Sequence, residues 1–336
     1  MTKATGTRVR LLTGFEDPML ADDAVWENLL AQGPRPSVFL TPGWQRAWWS
    51  AFGRGRLLLL LAERHGEPVA LAPLFADSGM VFSVGAGGSD ELDLIGDVSV
   101  EGVTEDLLDT ARSLADSFVG FRFYHVPDRS PTGDALQHAA SRLRLDIFDE
   151  GDLPEPFLDL VDPGAADDAA GRTSLVRHER RLRRDGDLEV LHLRDAATIR
   201  ERLDPFFEQH IARWSTTGFP SLFLDPAQRA FYRGLADEGA GSGWLRFTEI
   251  RLDGRPVAAH FGTSYRGTFL WYKPSFDPVF ARRSPGEVLL RQLFLAALQE
   301  GAQRFDFGLG DEAFKARFAT GVNTVRTWGL YPSGGS

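Results

Sequence analysis

The sequence contains no cysteine, which excludes disulfide bonds, thiolate zinc sites, iron–sulfur clusters and a cysteine nucleophile. Lysine is also scarce: nearly all basic residues are arginine, and only Lys3, Lys273 and Lys315 are lysine. No histidines and carboxylates show the spacing of a zinc site, so we expect no metal. The strongest apolar run, residues 57–62, has the length of a strand. We therefore expect a cytoplasmic protein with neither a secretory signal nor a membrane span.

The chain has 336 residues, of which 43% are hydrophobic and 25% charged, and this is enough for two packed domains. Its formal net charge of −10 argues against a nucleic-acid partner, because phosphate backbones bind basic surfaces. One local exception is a stripe of arginines on one face of the predicted helix 173–184: Arg177, Arg180, Arg181 and Arg184. The stripe either binds a phosphorylated donor or tRNA, or forms a solvated helix face.

Both halves of the sequence show the same order of predicted elements: two helices, a β-hairpin, a strand, a helix and a strand. The hairpins are predicted at 57–75 and 244–265, each around a short polar turn. Residues 150–170 are rich in Asp, Pro, Gly and Ala, which predicts a linker or crossover. We therefore predict two domains, 1–155 and 156–336, each with a mixed sheet flanked by helices in the α/β (α+β) class.

An ordered set of short motifs carries a family resemblance. In the second half these are GRPVAA (254–259), Tyr272, FD (276–277), RSPGEVLL (283–290), FDFGLG (305–310) and FK (314–315). The first half adds TP (41–42) followed by Trp44 and Trp48, FG (52–53), PL (73–74), SD (89–90) and LDL (92–94). The sequence resembles acyltransferases with two GNAT-like domains, of the CelD/BcsL type, which are related to the FemAB-like aminoacyltransferases.

The resemblance implies two tandem GNAT-like domains, each with a splayed mixed sheet. It also implies that the second domain is the catalytic one. It also implies transfer of an acyl group, with acetyl as the first candidate, from acyl-CoA to an amine or hydroxyl. The acceptor would be a small molecule or a precursor of a cell-envelope or polysaccharide-type polymer. Two alternatives remain: a FemAB-like enzyme that takes an aminoacyl group from tRNA to a peptidoglycan-type precursor, and a non-catalytic binding protein with the same fold.

The loop before the predicted helix 284–299 is the candidate coenzyme A site, because a helix N-terminus offers unpaired N–H groups to a pyrophosphate. The resemblance assigns this role to Arg282, Arg283, Ser284 and Gly286. Ser284 also fits the N-cap and Glu287 the capping-box position. A well-capped structural helix is the alternative interpretation.

Acyl transfer to an amine needs a base, because a protonated amine cannot attack a carbonyl. The resemblance places Tyr272 where it could protonate a thiolate leaving group, and Asp277 where it could receive the proton of the amine. His260 on the neighbouring predicted strand and His210 on a predicted helix are alternative bases.

Lys315 is a further candidate catalytic residue. It follows Asp306, Gly308 and Gly310, whose spacing predicts a tight strand-to-helix turn, and it lies on a helix-like segment, 312–319. In FemAB-like proteins the matching lysine contacts substrate oxygens, which implies that Lys315 stabilises an oxyanion. A solvated helix lysine is the alternative.

Overall fold

The computed structural model describes residues 6–34, 36–215 and 217–334, so Lys3 lies outside the described residues. The chain divides into two compact units: unit 1 contains Met1–Pro154 and Asn323–Ser336, and unit 2 contains Glu155–Val322. The first segment of unit 1 ends one residue before the predicted boundary. The C-terminal segment, however, packs with unit 1, whereas the predicted division assigns it to the second domain.

Unit 1 is built on a mixed sheet in the order β1-β2-β3-β4-β6-β13-β7, with β5 paired to β3. Its strands are β1 (Thr7–Leu11), β2 (Arg56–Arg64), β3 (Glu67–Asp77), β4 (Met80–Ser83), β5 (Ile95–Gly96), β6 (Gly120–Pro127), the first part of β7 (Leu145–Asp159) and β13 (Gly321–Pro332) from residue 323 on. Its helices are α1 (Ala24–Ala31), α2 (Pro42–Phe52), α3 (Val103–Leu114) and α4 (Thr132–Leu143).

In unit 2 the strands pair in the order β7-β12-β11-β10-β9-β8. Its strands are the end of β7, β8 (Leu188–Leu193), β9 (Leu245–Leu252), β10 (Arg255–Tyr265), β11 (Thr268–Phe276) and β12 (Arg304–Asp306). Its helices are α5 (Pro163–Gly171), α6 (Thr173–Asp185), α7 (Ala196–Trp214), α8 (Pro226–Gly241) and α9 (Pro285–Gln299). Strands β11 and β12 run parallel, and the other neighbours in unit 2 with a determined register are antiparallel.

The predicted hairpins are confirmed, and their turns explain why they form locally. In β2–β3 the two turn residues, His65 and Gly66, have φ values of 53° and 86°. In β9–β10 the turn residues Asp253 and Gly254 have φ values of 50° and 75°. Two consecutive positive φ angles match the right-handed twist of the strands, which is why glycine stands second in both turns.

The sheet of unit 2 is covered on both faces. Apolar residues of α9 pack on one face, where Phe294 contacts Phe305 with ring centroids 4.7 Å apart. On the other face α7 and α8 supply an aromatic cluster, in which Phe206 packs against Phe247 of β9 and Tyr232 against Phe261 of β10. Packing on both faces therefore makes the sheet of unit 2 a rigid support for the side chains that it carries.

Three local predictions are wrong. Of the two alternatives for residues 150–170 the linker is wrong, because β7 and α5 occupy most of them, whereas the chain does cross from unit 1 to unit 2 there. Ser284 has a φ of 54° and its side chain forms no cap, so α9 lacks the capping box. The helix expected at 312–319 is a 3₁₀ turn at Lys315–Arg317, held by the interaction of the Lys315 side chain with its own loop.

Candidate active site

Strands β11 and β12 separate after a short paired stretch in unit 2. They pair only from Thr268–Arg304 to Leu270–Asp306. Beyond that point β11 continues to Phe276, whereas the other chain turns at Gly308, which has a φ of 69° and donates its N–H to the Asp306 carboxylate at 2.8 Å. We call the space between residues 271–273 and 307–310 the strand opening.

The corresponding position in unit 1 is closed. Strands β4 and β6 are also parallel and pair only over Met80–Phe82. There, however, the Leu92 N–H donates to the carbonyl of His125 in β6 at 3.1 Å, and Nδ1 of His125 lies 2.9 Å from the carbonyl oxygen of Ser89. The segment 89–92 thus covers the edge of β6 that β4 leaves bare. In unit 2 the β11–β12 pairing ends at Leu270 and Asp306.

His260 shapes the strand that borders the opening. Its side chain has no exposed surface and lies within a bulge between β10 and β11, where the Tyr272 N–H donates to Nε2 at 3.1 Å. Burial lowers the pKa of His260 to about 3, although the Leu270 backbone acts in the opposite direction. The imidazole is therefore neutral at pH 7. This placement speaks against a general base and in favour of a positioning residue.

The bulge requires glycine at position 262. A Cβ there would lie 2.1 Å from Cε1 of His260 and 2.5 Å from the Leu270 carbonyl oxygen, distances that no packed structure accommodates without a shift. We expect Gly262→Ala to lower the free energy of unfolding by more than about 2 kcal/mol, because the imidazole and the strand must both move. Urea unfolding measures this. In the control Gly241→Ala the added Cβ has no neighbour within 4 Å, and a similar loss in that variant would contradict the explanation.

Tyr272 lies at the open end of β11 and is 7% exposed. Its ring stacks on Tyr232, with centroids 6.1 Å apart, and the Lys273 ammonium lies 4.1 Å from the ring centroid. A cation at this distance from the ring favours any developing negative charge on the phenol. The geometry therefore suits a group that gives up a proton.

Asp277 is occupied by structural contacts. One carboxylate oxygen pairs with Arg255, and the other accepts the Val279 N–H at 2.9 Å at the start of a 3₁₀ turn, Pro278–Arg283. A carboxylate with both oxygens engaged is poorly placed to collect a proton from an incoming amine. Asp277 therefore orients the turn that leads into α9.

The Lys315 side chain is buried, with 3% of its surface exposed. It contacts the 307–310 loop, which borders the strand opening. Its ammonium donates to the carbonyl oxygens of Gly308 at 3.2 Å and Leu309 at 2.6 Å, and it lies 2.7 Å from the Glu312 carboxylate. These contacts use the three ammonium hydrogens. The structure thus contradicts the solvated-lysine alternative. Lys315 instead stabilises the conformation of the 307–310 loop.

The first turn of α9 carries its own ion network. The Glu287 carboxylate binds Nδ1 of His178 at 2.7 Å and the Arg317 guanidinium at 3.0 Å. Burial raises the pKa of Glu287, but the hydrogen bonds from Arg317 and His178 outweigh it, so the pKa lies below its usual value. Beside this network Arg283 pairs with Asp185, and Arg181 donates to the carbonyl of Arg282.

These residues fit the pyrophosphate of coenzyme A. Arg181, Arg282, Arg283 and Arg317 meet only two acidic partners, Asp185 and Glu287, which leaves an excess of positive charge at the helix N-terminus. Arg282 is exposed and forms no ion pair with any described residue. Gly286 keeps the helix start open, since a Cβ there would lie 3.4 Å from Phe276.

Sequence reasoning missed Gly262, His178 and Arg317 as contributors to the site, whereas it named Arg181 as part of the arginine stripe. The partners of Glu287 lie 109 and 30 residues away along the chain, so no local pattern indicates them. His210, the alternative base, hydrogen-bonds Ser221 within α7 and its neighbouring turn, and burial lowers its pKa to about 4. The arginine stripe of α6 is exposed at all four positions.

The comparisons with known proteins agree with this geometry. Residues 169–316 match the family model described as acetyltransferase (GNAT) domain, and this range lies within unit 2. Unit 2 contains a GNAT acetyltransferase domain. The strand opening, with its borders at residues 271–273 and 307–310, lies within the matched range. No curated protein sequence matches the chain.

Solved structures show that the two-unit arrangement is a tandem GNAT fold. FemX is similar with a TM-score of 0.65 and 11% identity, over 90% of this chain and 94% of FemX. A tandem GNAT protein from the clavulanic acid biosynthesis pathway has a TM-score of 0.56 and 14% identity, over 98% and 100% of the two chains. The C-terminal domain of a protein described as a lysylphosphatidylglycerol synthetase, from Agrobacterium fabrum, has a TM-score of 0.56 and 15% identity, over 86% and 88%.

Two searches of the structure gave negative results. Within the described ranges no group of three or more histidines and carboxylates could hold a metal ion. Among the helices of the described chain, none combines the length and the apolar character that crossing a bilayer requires.

Proposed function

We propose that the protein transfers an acyl group, with acetyl as the first candidate, from acyl-CoA to an amine or hydroxyl in unit 2. The strand opening carries this proposal, because a thioester can enter between two parallel strands whose pairing ends at Leu270 and Asp306. The closed edge of β6 in unit 1 supports catalysis in the second domain.

The residues around the opening have separable roles in this proposal. Arg282, Arg283, Ser284 and Gly286 bind the pyrophosphate of the donor at the α9 N-terminus. When bound, the donor supplies an activated thioester. Tyr272 donates a proton to the departing thiolate under the influence of Lys273.

Three further residues hold this arrangement rather than react. Lys315 fixes the 307–310 loop, His260 fixes the bulge behind Tyr272, and Asp277 fixes the turn before α9. We assign no described side chain as the base. The amine therefore enters neutral or loses its proton to water.

The acceptor that we propose is a precursor of a cell-envelope or polysaccharide-type polymer. The similarity to FemX supports this class, since the fold is shared over nearly the whole chain. The exposed arginines of α6 favour one alternative, in which the donor is an aminoacyl-tRNA, because arginine binds phosphates. The net charge of −10 argues against it.

Calorimetry with coenzyme A tests the proposed donor. We expect binding to the wild type, and a roughly tenfold weaker affinity for Arg282→Ala at unchanged melting temperature, because one charge-assisted hydrogen bond is lost. Arg200→Ala, an exposed arginine of α7, is the matched control and should bind normally. Binding of charged tRNA without binding of coenzyme A would replace the proposal with the tRNA alternative. Binding of neither would favour a non-catalytic protein.

A further inference from the structure

Unit 1 contains a pocket that the acyl-transfer chemistry does not use. It is a cleft open to solvent, with a cavity volume of about 30 Å³ at its base, between α1, the segment 36–40, the segment 91–96 and the end of β6. Its walls are mainly apolar, from Leu30, Pro34, Leu40, Leu94 and Pro127. All residues that line the pocket belong to unit 1.

Three charged side chains line the pocket beside this apolar wall. Glu91 and Arg129 form an ion pair in which Glu91 is 4% exposed. Asp93 is the third, and one of its oxygens accepts the Leu94 N–H at 2.9 Å. Because Glu91 and Arg129 neutralise each other, the pocket carries one net negative charge when Asp93 is ionised.

The surroundings of Asp93 disfavour the ionised form of its carboxylate. Burial raises the pKa of Asp93 to about 6, although the Leu94 N–H and the nearby hydroxyls of Ser130 and Thr132 act in the opposite direction, and the Glu91 charge acts in the same direction as burial. At pH 7 the group is therefore mostly ionised without a cation of its own. Such a carboxylate in a pocket is typical of a ligand site.

We propose that this pocket binds the protonated primary amine of a ligand with a short aliphatic stem. Asp93 accepts a charge-assisted hydrogen bond from the ammonium group, while Leu30, Leu40 and Leu94 contact the stem. A carboxylate ligand does not fit as well, because the single arginine of the pocket is already paired with Glu91. A neutral alcohol leaves the Asp93 charge uncompensated.

Ligand-observed NMR with n-butylammonium, n-butanol and butyrate tests the proposal on the full chain. We expect n-butylammonium to bind at least about tenfold more tightly than either of the other probes. Asp93→Asn should weaken its binding by at least about tenfold and leave n-butanol binding unchanged. This variant removes a charge that burial disfavours, so it should remain folded. Asp116→Asn, at an exposed position of the same unit, is the control.

The proposal is overturned by any of three results. These are equal affinity for n-butylammonium and n-butanol, undiminished n-butylammonium binding by Asp93→Asn, and no detectable n-butylammonium binding to the wild type. All three are independent of coenzyme A binding in unit 2, so the donor proposal can fail without affecting this one.

Discussion

Acidification from pH 7 to pH 5 is expected to destabilise unit 2 by about 4 kcal/mol, about 2 kcal/mol from each of two buried histidines. His210 and His260 have pKa values lowered to about 4 and about 3, chiefly by burial. In the unfolded chain a histidine titrates near about 6.5, so at pH 5 the unfolded state binds protons that the folded state does not. The stability is therefore fully present above about pH 6.5 and falls as the pH approaches 4 and then 3.

Urea unfolding at the two pH values measures this effect. His210→Gln can keep a hydrogen bond to Ser221 and should lose about half of the acid dependence. His138→Gln, an exposed histidine of α4, should leave the dependence unchanged. An equal free energy of unfolding at pH 7 and pH 5 would refute the prediction. Asp93 in unit 1 works in the opposite direction, because its raised pKa makes protonation near pH 5 stabilising.

Replacement of Lys315 by methionine is expected to lower turnover about a hundredfold while leaving the affinity for coenzyme A within about twofold. Methionine keeps the apolar stem but removes the ammonium that holds the carbonyls of Gly308 and Leu309. The 307–310 loop then relaxes, and the reacting groups lose their alignment at the strand opening. The α9 N-terminus, where the proposed pyrophosphate site lies, keeps its own contacts.

Release of free coenzyme A from acetyl-CoA can be followed with a thiol reagent, because the protein itself has no cysteine. Glu312→Gln is the matched control: Glu312 is 59% exposed at its side chain, and its loss leaves the carbonyl contacts of Lys315 intact. We expect near-normal turnover from that variant, since exposed ion pairs contribute little. Full turnover by Lys315→Met, or a parallel loss of coenzyme A affinity, would show that the loop has no positioning role.

The elements that sequence reasoning predicted are those with a local cause. The hairpins around Gly66 and Gly254 were predicted because their turn residues adopt positive φ, a property of a few consecutive residues. Helix α9 also has a local cause, because its apolar residues recur at helical spacing and a proline stands in its first turn. The ordered motifs of residues 254–315 then indicated the acyltransferase family, because they mark successive strands, turns and helix starts of unit 2.

Only the tertiary structure decided which partners the side chains of the site contact. Glu287 was expected to cap its own helix, but His178 and Arg317 compete for it with charge-assisted hydrogen bonds, which are stronger than a neutral cap. Lys315 is predicted from the sequence to face a substrate, but its ammonium contacts the carbonyls of Gly308 and Leu309 and the Glu312 carboxylate. The pocket around Asp93 joins residues from 30 to 130 and leaves no local signature. The sequence alone determined the two hairpins, helix α9 and the family motifs, because each depends on a few neighbouring residues. The protonation states and partners of the side chains depend on burial and on distant charges, which exist only in the folded chain.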